Sequence, residues 1–235
     1  MKLYKHYKNK PYQVHGVAKH SETMEELVVY ETRYDNPTAR LWVRPKAMFE
    51  EVVVIEGKAV PRFAKVPLKI ETSTQIDERA LTILSGLIQK IFGEKEIERF
   101  RATLRNHSRF YLQLAFVDDV AVGFKVGYEL DRQCFSSWLG GVLPEFQKLG
   151  IARDLIEAQH EWCRKQGYHQ IQTQLQNRWK SMLILNLKEG FEIVGYHASP
   201  EDGPEILLEK QLGADPDHDT SLMTRTLTKR WGPPL

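Results

Sequence analysis

The 235-residue sequence predicts a mixed α/β fold preceded by a small all-β, barrel-like domain. Two observations support this prediction. Up to about residue 65, short runs rich in Val, Tyr and Trp are separated by turn residues at intervals of roughly eight to twelve positions, which is typical of small barrels and sandwiches. Beyond residue 66, strand-like and helix-like runs follow the order β-α-α-β-β-β-α-β-α-β-β, which indicates a mixed sheet rather than a doubly wound one.

The first part, residues 1–65, is mildly basic and the remainder mildly acidic. Its strand-like runs are YQVHGVA, ELVVYETRY, ARLWVRP and EEVVVIEG. The turns between them are written KNKP, KHSETME, DNPT and KAMF, so the segments are too short and too often interrupted for helices.

The second part, residues 66–212, begins with a helix over TQIDERALTILSGLIQKIFG, for which Thr74 is a plausible N-cap and Gly93 a stop. A second helix, KEIERFRATLRNHS, precedes three strands, the first two joined by a tight turn at Asp118-Asp119. A helix is expected from about Gln147 to Gln166, closed by Gly167. The last elements are a strand, a helix and two strands, in the runs HQIQTQLQN, RWKSMLILNLKEG, FEIVGYH and PEILLEKQL.

Residues 213–235 are polar and bounded by prolines, and we expect a mobile tail to which TSLMTRTL could add an edge strand. No apolar run is long enough to span a membrane, and the basic, aromatic N-terminus is unlike a secretory signal. The two cysteines, Cys134 and Cys163, have no metal-ligand spacing, so we expect reduced, packed side chains and no metal site. These features favour a cytoplasmic protein.

The stretch PEFQKLGIAR, residues 144–153, joins a strand to a helix through small residues. The first turn of a helix has free backbone N–H groups and a partial positive charge, so anions bind there when no bulky side chain shields the backbone. Gly150 and Ala152 would leave the backbone accessible, and Gln147, Lys148 and Arg153 could add polar contacts. An ordinary strand-to-helix turn is the alternative, and neither a P-loop nor a dinucleotide fingerprint is present.

The same stretch resembles motif A of the GCN5-related N-acetyltransferase (GNAT) family, V-x-P-x-x-[QR]-x-x-G-x-[GA]. Val142, Pro144, Gln147, Gly150 and Ala152 match the pattern without a gap. The run NRWKSMLILNLKEGF resembles the motif B helix of that family, which ends in Gly-Phe. The resemblance covers roughly residues 66 to 212 and implies an acetyl-CoA-dependent N-acetyltransferase.

The resemblance also implies where acetyl-CoA would bind. In this family the strand before motif A splays from its neighbour, the pantetheine arm lies in the gap, and the pyrophosphate lies on the N–H groups of the turn. Asn177 and Asn186 would face the cofactor from the motif B helix, although exposure or helix capping would also explain them. The implied cofactor-binding residues are Gly141, Val142, Leu143, Gln147, Lys148, Leu149, Gly150, Ile151, Ala152, Arg153, Asn177 and Asn186.

Acetyl transfer to an amine needs a base that removes a proton from the ammonium group. Glu129, on the strand beside the cofactor strand, is the candidate, and a solvent-facing carboxylate is the alternative reading. Asp131 is a weaker candidate, and His160 in an amphipathic helix is expected to lie at the surface or to serve packing and not catalysis. The family usually protonates the leaving thiolate with a motif B Tyr, whose position is Asn186 here, so Tyr128, Tyr111 or water would have to replace it.

The first part resembles DUF1653, a small bacterial domain of unknown function. The shared phrases are HYK-x-K-x-Y, A-x-H-S-E-T, ELVVY, LWVRP, MF and PRF, over roughly residues 2 to 63. The resemblance implies a compact β unit but no activity. Tyr4, His6, Tyr7, Lys8 and Lys10 interleave aromatic and basic residues as single-strand binders do, but strand positions that alternate between core and solvent are the favoured explanation. Arg44 and Arg62 beside aromatic residues fit packing or an anion site.

Three functions follow from these observations. The first is transfer of an acetyl group from acetyl-CoA to a primary amine of a small molecule, peptide or protein. The second is a non-catalytic acetyl-CoA-binding or adaptor protein, and the third a nucleic-acid-associated protein acting through residues 1–65. A net charge of +2 gives little support to nucleic-acid binding. A homodimer and a separate partner for the first domain are further expectations.

Overall fold

The computed structural model describes residues 2–199 and 203–213. Its first part consists of seven strands and one short helix: β1 Leu3–His6, β2 Pro11–Lys19, β3 Glu26–Thr32, β4 Leu41–Pro45, α1 Lys46–Glu50, β5 Val52–Ile55, β6 Lys58–Pro61 and β7 Phe63–Lys65. Five strands form an antiparallel sheet in the order β4-β3-β2-β1-β7, and β5 and β6 form a separate hairpin. Among the described strands, β4 and β7 form the two edges of this sheet, so the small β domain is present but its strands do not close into a barrel.

The second part follows the predicted order of elements. They are β8 Lys69–Ser73, α2 Glu78–Phe92, α3 Glu94–Asn106, β9 Phe110–Val117, β10 Val120–Glu129, β11 Cys134–Val142, a 3-10 turn Pro144–Phe146, α4 Ile151–Lys165, β12 Gln170–Gln176, α5 Lys180–Lys188, β13 Glu192–Ser199 and β14 Gly203–Gln211. The seven strands lie in the order β13-β14-β12-β11-β10-β9-β8. β11 and β12 run parallel and the other described neighbours antiparallel, which confirms the mixed α/β class.

The helices cover both faces of this sheet. On one face, Leu84 and Ile88 of α2 are completely buried against Leu112 of β9 and Phe124 of β10. On the other face, α4 packs across β9, β10 and β11, and Leu183 of α5 packs against the apolar side chains of β12 and β14. The sheet is therefore the core on which the functional elements are mounted.

Two helix starts differ from the sequence prediction. The N-cap of α2 is Asp77, whose carboxylate accepts the Ala80 N–H at 2.7 Å, so the prediction of Thr74 was wrong. α4 begins at Ile151 and not near Gln147, because Lys148 (φ 65°) and Gly150 (φ 92°) are left-handed. A left-handed residue cannot continue a right-handed helix, so residues 147–150 form a separate turn.

Three predicted turn and stop signals are confirmed. Gly93 ends α2 with φ 93°, and Gly167 follows α4 with φ 82°. Asp118 and Asp119 form the tight turn between β9 and β10, with φ 48° and 61°. Short polar side chains and glycine are the residues that adopt positive φ at low cost.

The two parts share a core. Leu3 of the first part is buried in one cluster with Val66, the first residue of the second part, and with Val142, Leu149 and Leu155. Lys5 also forms an ion pair with Asp118 at 2.7 Å across the boundary. The β domain is therefore packed onto the second part and not only tethered to it. The predicted boundaries, 1–65, 66–212 and 213–235, stay predictions.

The tail predicted from residue 213 onward lies, except for Gly213, outside the described residues. Within the described part of the chain, none of the helices combines the length and the apolar composition needed to cross a membrane.

Candidate active site

The central feature of the sheet is a gap between β11 and β12. The two strands pair only from Cys134–Ser136 to Gln170–Gln172. One further contact, from the Thr173 hydroxyl to the Ser137 carbonyl at 2.8 Å, marks the point of separation. There β11 carries a bulge, because Val126 pairs with Leu139 but Tyr128 with Ser136. The strands then splay apart and open a cleft of about 2590 Å³.

The backbone of β11 faces this gap at alternate residues. Leu143 donates its N–H to the Val122 carbonyl of β10 at 2.8 Å, and its own carbonyl accepts from Phe146. Because successive backbone groups of a strand point to opposite edges, the groups of Val142 and Gly140 face the gap. The Val142 carbonyl there accepts the side-chain amide of Gln147 at 3.1 Å. A ligand in the gap could thus pair with β11 as an added strand.

The turn at the mouth of the gap offers free backbone donors. The N–H groups of Lys148, Leu149 and Gly150 donate to no acceptor among the residues the structure describes. The first turn of α4 follows directly and adds its own orphan N–H groups and the positive end of its dipole. Successive N–H groups in a turn of this kind form a concavity for an anion such as a phosphate.

Most of the cofactor-binding residues predicted from the sequence come together in the cleft. Those that line it are Gly141, Val142, Gln147, Lys148, Gly150, Ile151, Ala152, Arg153 and Asn186. The guanidinium of Arg153 is held by the Glu189 carboxylate at 2.7 Å, which places it at the junction of α4 and α5.

Two of the predicted residues, Leu143 and Asn177, lie differently. The side chains of Leu143 and Leu149 are both buried in the core, but the backbone groups of Leu143 are already bonded within the protein, whereas the Leu149 N–H is one of the three donors of the turn described above. Asn177 is exposed in the turn before α5, so it does not lie on the helix as the sequence suggested, because the helix begins only at Lys180. Asn186, by contrast, is 5% exposed and is the buried polar residue of α5 at the cleft.

Glu129 lies at the end of β10, where its carboxylate accepts two donors. The Tyr168 hydroxyl donates at 2.8 Å and the Arg109 guanidinium at 3.0 Å. The hydrogen bond from Tyr168 lowers the pKa of Glu129, and Arg109 acts in the same direction. Its neighbours Tyr128 and Asp131 line the cleft, but Glu129 does not. Asp131 itself accepts the N–H groups of Gln133 and Cys134, so it supports the turn before β11.

An aromatic wall lies on the α2 and α3 side of the cleft. Trp138 of β11 stacks on Phe100 at 5.5 Å between ring centroids, and its edge meets Tyr128 at 5.7 Å. His107, just after α3, stacks on Tyr128 at 3.8 Å. Partial burial lowers the pKa of His107, so its imidazole is neutral at pH 7 and can accept a proton. Trp179 completes the wall through an edge contact with Phe92 at 5.5 Å.

The opposite wall is polar. Ile171 and Leu175 of β12 face the core, so the glutamines between them face the other side of the sheet. Gln172 donates to Glu209 of β14 at 2.9 Å, and Gln174 is exposed beside them. Both glutamines and Glu209 line the cleft. This wall therefore carries hydrogen-bonding groups where the first wall carries rings.

Lys125 of β10 is a buried amine at the edge of the cleft. It is 6% exposed, and burial lowers its pKa to about 8. It runs beside Gly140, where an added Cβ would come within 3.3 Å of the lysine Cγ. Gly140 thus leaves room for the lysine between β11 and α4.

His160 of α4 is buried and neutral, in agreement with its expected packing role. Burial together with the nearby Lys210 lowers its pKa to about 3. The Lys210 ammonium lies 3.2 Å from its Nδ1, and Phe191 packs at 5.4 Å. The two cysteines are also buried, and within the described part of the chain they form no disulfide.

Comparison with known proteins supports both resemblances. The model of the Acetyltransferase (GNAT) family matches residues 78–180, and that of the Protein of unknown function (DUF1653) family matches residues 2–65. The chain combines a DUF1653 domain with a GNAT-family domain. A search of the curated proteins found no match.

Solved structures resemble each domain. A GNAT-family acetyltransferase from Elizabethkingia anophelis with acetyl-CoA bound is 21% identical (TM-score 0.51), covering 62% of this chain and 98% of its own. The ribosomal-protein-S18-alanine N-acetyltransferase from Escherichia coli is 12% identical (TM-score 0.54), covering 65% and 100%. Both likenesses concern the fold of the GNAT domain. A DUF1653 protein from Bordetella bronchiseptica is 34% identical (TM-score 0.27), covering 27% and 82%.

In the DUF1653 domain, the interleaved aromatic residues serve packing. Tyr4 meets Phe49 edge to face at 5.4 Å, and His6 packs on Tyr7 and on Phe63. Arg44 donates to the Tyr30 hydroxyl at 3.3 Å, and Arg62 pairs with Glu51. Rings engaged in this way are not presented as a stacking platform for bases.

Sequence reasoning missed four groups that the GNAT fold brings to the cleft. Lys125, His107 and Gly140 gave no motif signal. The alternating glutamines of QIQTQLQ did give one, since a period of two places every glutamine on one face of a strand. The contacts made by the DUF1653 domain at the turn were also not predicted.

Proposed function

We propose that the protein is an acetyl-CoA-dependent N-acetyltransferase that acetylates a primary amine by direct attack in a ternary complex. The observation that carries the proposal is the gap between β11 and β12, which opens onto a turn with three N–H groups that donate to none of the described residues. A thioester arm fits the gap, and a pyrophosphate fits the turn. The relative from Elizabethkingia anophelis, which has acetyl-CoA bound, shares this fold.

Acetyl-CoA supplies an acetyl thioester, a carbonyl carbon activated toward amines. The residues of the chain would hold it in place: the gap-facing groups of Gly140 and Val142 pair with the pantetheine amides, and residues 147–152 bind the pyrophosphate. Backbone N–H groups at this edge of β11 would also polarise the thioester carbonyl. Asn186 offers a buried amide to the pantetheine arm.

The acceptor amine must lose a proton before it attacks. Glu129 is the candidate from the sequence, and it could act through water from the end of β10. His107 is the candidate from geometry, because it lines the cleft, is neutral at pH 7 and stacks on Tyr128. Each imposes a different pH dependence on turnover, so the two can be separated.

The CoA thiolate is either protonated as it leaves or leaves as the anion. Tyr128 lines the cleft beside the β11 bulge and carries a hydroxyl whose pKa is raised by burial, so it stays protonated at neutral pH. Tyr111 stacks on Trp162 at 4.1 Å and does not line the cleft. Tyr128 is therefore the better replacement for the motif B tyrosine.

The acceptor would enter between the aromatic and the polar wall. Rings such as Trp138 and Tyr128 can pack on the stem of an amine, and Gln172, Gln174 and Glu209 can bind its polar groups. Amines of small molecules, peptides and protein lysines would all fit such a cleft as acceptors of the acetyl group. A panel of amines is therefore the appropriate assay.

The test is calorimetric binding of acetyl-CoA followed by release of free CoA thiol in the presence of a panel of polyamines, aminoglycosides, amino acids and peptides. Binding together with thiol release that depends on one amine class is the expected result. Absence of acetyl-CoA binding contradicts the proposal.

A non-catalytic acetyl-CoA-binding protein is the second candidate. It is favoured by one observation, namely that the motif B tyrosine position is occupied by the buried amide Asn186. Tight acetyl-CoA binding without thiol release for any amine would support this candidate.

A further inference from the structure

The DUF1653 domain contacts residues 147–150, here called the phosphate turn, on the side opposite the cleft. The contacts involve the carbonyl groups of three consecutive residues. The guanidinium of Arg33 lies 3.4 Å from the Gln147 carbonyl and also donates to that of Glu145 at 2.8 Å. The side-chain amide of Gln13 donates to the Lys148 carbonyl at 2.8 Å. The backbone N–H of Lys2 donates to the Leu149 carbonyl at 3.2 Å.

By holding the carbonyl group of each peptide unit, these contacts also fix the direction of its N–H group. In a trans peptide the C=O and N–H groups point in opposite directions, and the described chain contains no cis bond. Carbonyls of residues 147, 148 and 149 that point to the DUF1653 domain therefore turn the N–H groups of Lys148, Leu149 and Gly150 away from it. These are the three N–H groups for which the described residues offer no acceptor.

The turn needs such support because it contains a left-handed residue that is not glycine. Lys148 has φ 65°, and a side-chain-bearing residue in this region costs about 1–2 kcal/mol. The carbonyl held by Gln13 belongs to this residue. The contact therefore stabilises the conformation that the phosphate site requires.

Gln13 is a residue whose burial costs folding free energy, so a purely structural role does not explain its presence. It is 7% exposed, and its Oε1 has no hydrogen-bond partner among the described residues. A buried, half-satisfied amide lowers stability relative to an apolar side chain of the same size. The hydrogen bond from its amide to the Lys148 carbonyl is the interaction that offsets this cost.

Arg33 is likewise positioned by its own domain. The carboxylate of Glu31, 11% exposed, lies 3.6 Å from the Arg33 guanidinium. Arg40 binds the same carboxylate at 3.1 Å but is 72% exposed and makes no contact with the turn. Both arginines thus pair with the Glu31 carboxylate, but only Arg33 also contacts the phosphate turn.

We propose that Gln13 and Arg33 of the DUF1653 domain are positioning residues for acetyl-CoA: they hold the carbonyls of Glu145, Gln147 and Lys148 so that the N–H groups of the turn face the pyrophosphate. The inference rests on the proposed function of the cleft. It makes the first domain part of the cofactor site and gives DUF1653 a role in this chain.

The test uses the full chain and the variants Gln13→Met, Arg33→Met and Arg40→Met. Calorimetry gives the Kd for acetyl-CoA, and saturation-transfer NMR follows S-acetylpantetheine, which lacks the pyrophosphate. Gln13→Met changes no charge, so long-range electrostatics cannot account for its effect. Arg40→Met is the matched control, because it removes the same charge from the same carboxylate without touching the turn.

Loss of one hydrogen bond to the turn should raise the Kd for acetyl-CoA about fivefold in Gln13→Met and by at least as much in Arg33→Met. Binding of S-acetylpantetheine and the affinity of Arg40→Met should stay at wild-type values. The Tm of Gln13→Met should be unchanged or higher, which separates positioning from general support of the fold.

Wild-type affinity for acetyl-CoA in both Gln13→Met and Arg33→Met overturns the inference, and so does an equal loss of both ligands. If the wild type itself binds no acetyl-CoA, the proposed function of the cleft fails first. The two failures are therefore distinguishable.

Discussion

The Tyr168 hydroxyl donates to the Glu129 carboxylate at 2.8 Å, and together with Arg109 it holds that carboxylate at the end of β10. Both contacts favour the charged form, so the pKa of Glu129 lies below its usual 4.5. A carboxyl with a lowered pKa stabilises the fold above the pKa of the unfolded chain. That contribution is lost as the pH falls through the folded value.

Glu129→Gln should therefore lower the free energy of unfolding at pH 7 by about 1 kcal/mol or less, since the Arg109 partner is largely exposed. The difference should shrink as the pH falls from 4.5 through the pKa of the folded protein. Urea unfolding of wild type and variant between pH 7 and pH 2 measures it, with Glu78→Gln as an exposed control. A difference that stays constant over this range would contradict this account of the carboxylate.

The proton acceptor can be assigned from the pH dependence of turnover. A histidine base gives an acid limb below pH 6.5, whereas Glu129 would give one below pH 4.5. We expect His107→Gln to reduce kcat about a hundredfold and to remove the acid limb, with the Kd for acetyl-CoA unchanged. If instead Glu129→Gln alone causes this loss, the base is Glu129.

Lys125 should destabilise the fold at neutral pH. Its pKa falls from 10.5 to about 8 on burial, so between these values the unfolded chain binds a proton that the native state does not. Stability therefore rises with pH from about 8 to 10.5. Lys125→Met should raise the free energy of unfolding at pH 7 by up to about 3 kcal/mol.

The gain from Lys125→Met should shrink toward zero by pH 10.5, which denaturant unfolding at pH 7, 9 and 10.5 would show. Lys95→Met, at an exposed position on α3, should have little effect at any of these values. A gain that does not depend on pH would point to simple apolar burial and not to relief of a buried charge.

His160 should make the protein sensitive to mild acid. Its pKa is lowered from 6.5 to about 3, so the unfolded state binds a proton in this window and the native state does not. Stability should fall by about 1 kcal/mol for each pH unit from 6.5 down to about 3, because of this residue alone.

His160→Gln, which keeps an acceptor for Lys210 but does not titrate, should flatten that part of the profile. Thermal unfolding between pH 4 and pH 7 gives the slopes, and the exposed His197→Gln serves as control. Equal slopes for His160→Gln and wild type would exclude His160 as the sensitive group.

Two glycines at opposite ends of α4 allow the phosphate site to be tested against backbone strain. Gly150 and Gly167 are both left-handed, with φ 92° and 82°, so glutamate at either position costs about 1–2 kcal/mol of stability. Only Gly150→Glu also places bulk and negative charge in the turn. In thermal shift assays we expect acetyl-CoA to stabilise Gly167→Glu but not Gly150→Glu. If Gly167→Glu also loses stabilisation by acetyl-CoA, backbone strain and not the charge in the turn explains the loss.

The order of elements could be predicted because it depends on local patterns. Helical spacing, the Asp118-Asp119 turn and the stops at Gly93 and Gly167 are each visible within a few residues. The start of α4 was not predicted, because nothing in the local pattern shows that Lys148 adopts a left-handed conformation. The N-cap of α2 was misplaced because Thr74 and Asp77 are both good caps.

Motif A allowed the residues of the turn and helix start that line the cleft to be predicted together, since they are continuous in sequence. Its other groups are assembled from distant segments. His107 meets Tyr128 through the fold of α3 on the sheet, and Gln13 reaches Lys148 across 135 positions. Such contacts depend on how the sheets are stacked, which periodicity does not determine.

The core shared by the two domains also constrains how the chain matures during synthesis. Leu3 and Val66 are made early, but their partners Leu149 and Leu155 leave the ribosome much later. At bacterial or eukaryotic translation rates the first sheet waits on the order of ten seconds before its last apolar residues can be covered. The nascent DUF1653 domain thus exposes the apolar side chain of Leu3 until the phosphate turn has emerged, and a chaperone that shields this surface would act in this interval.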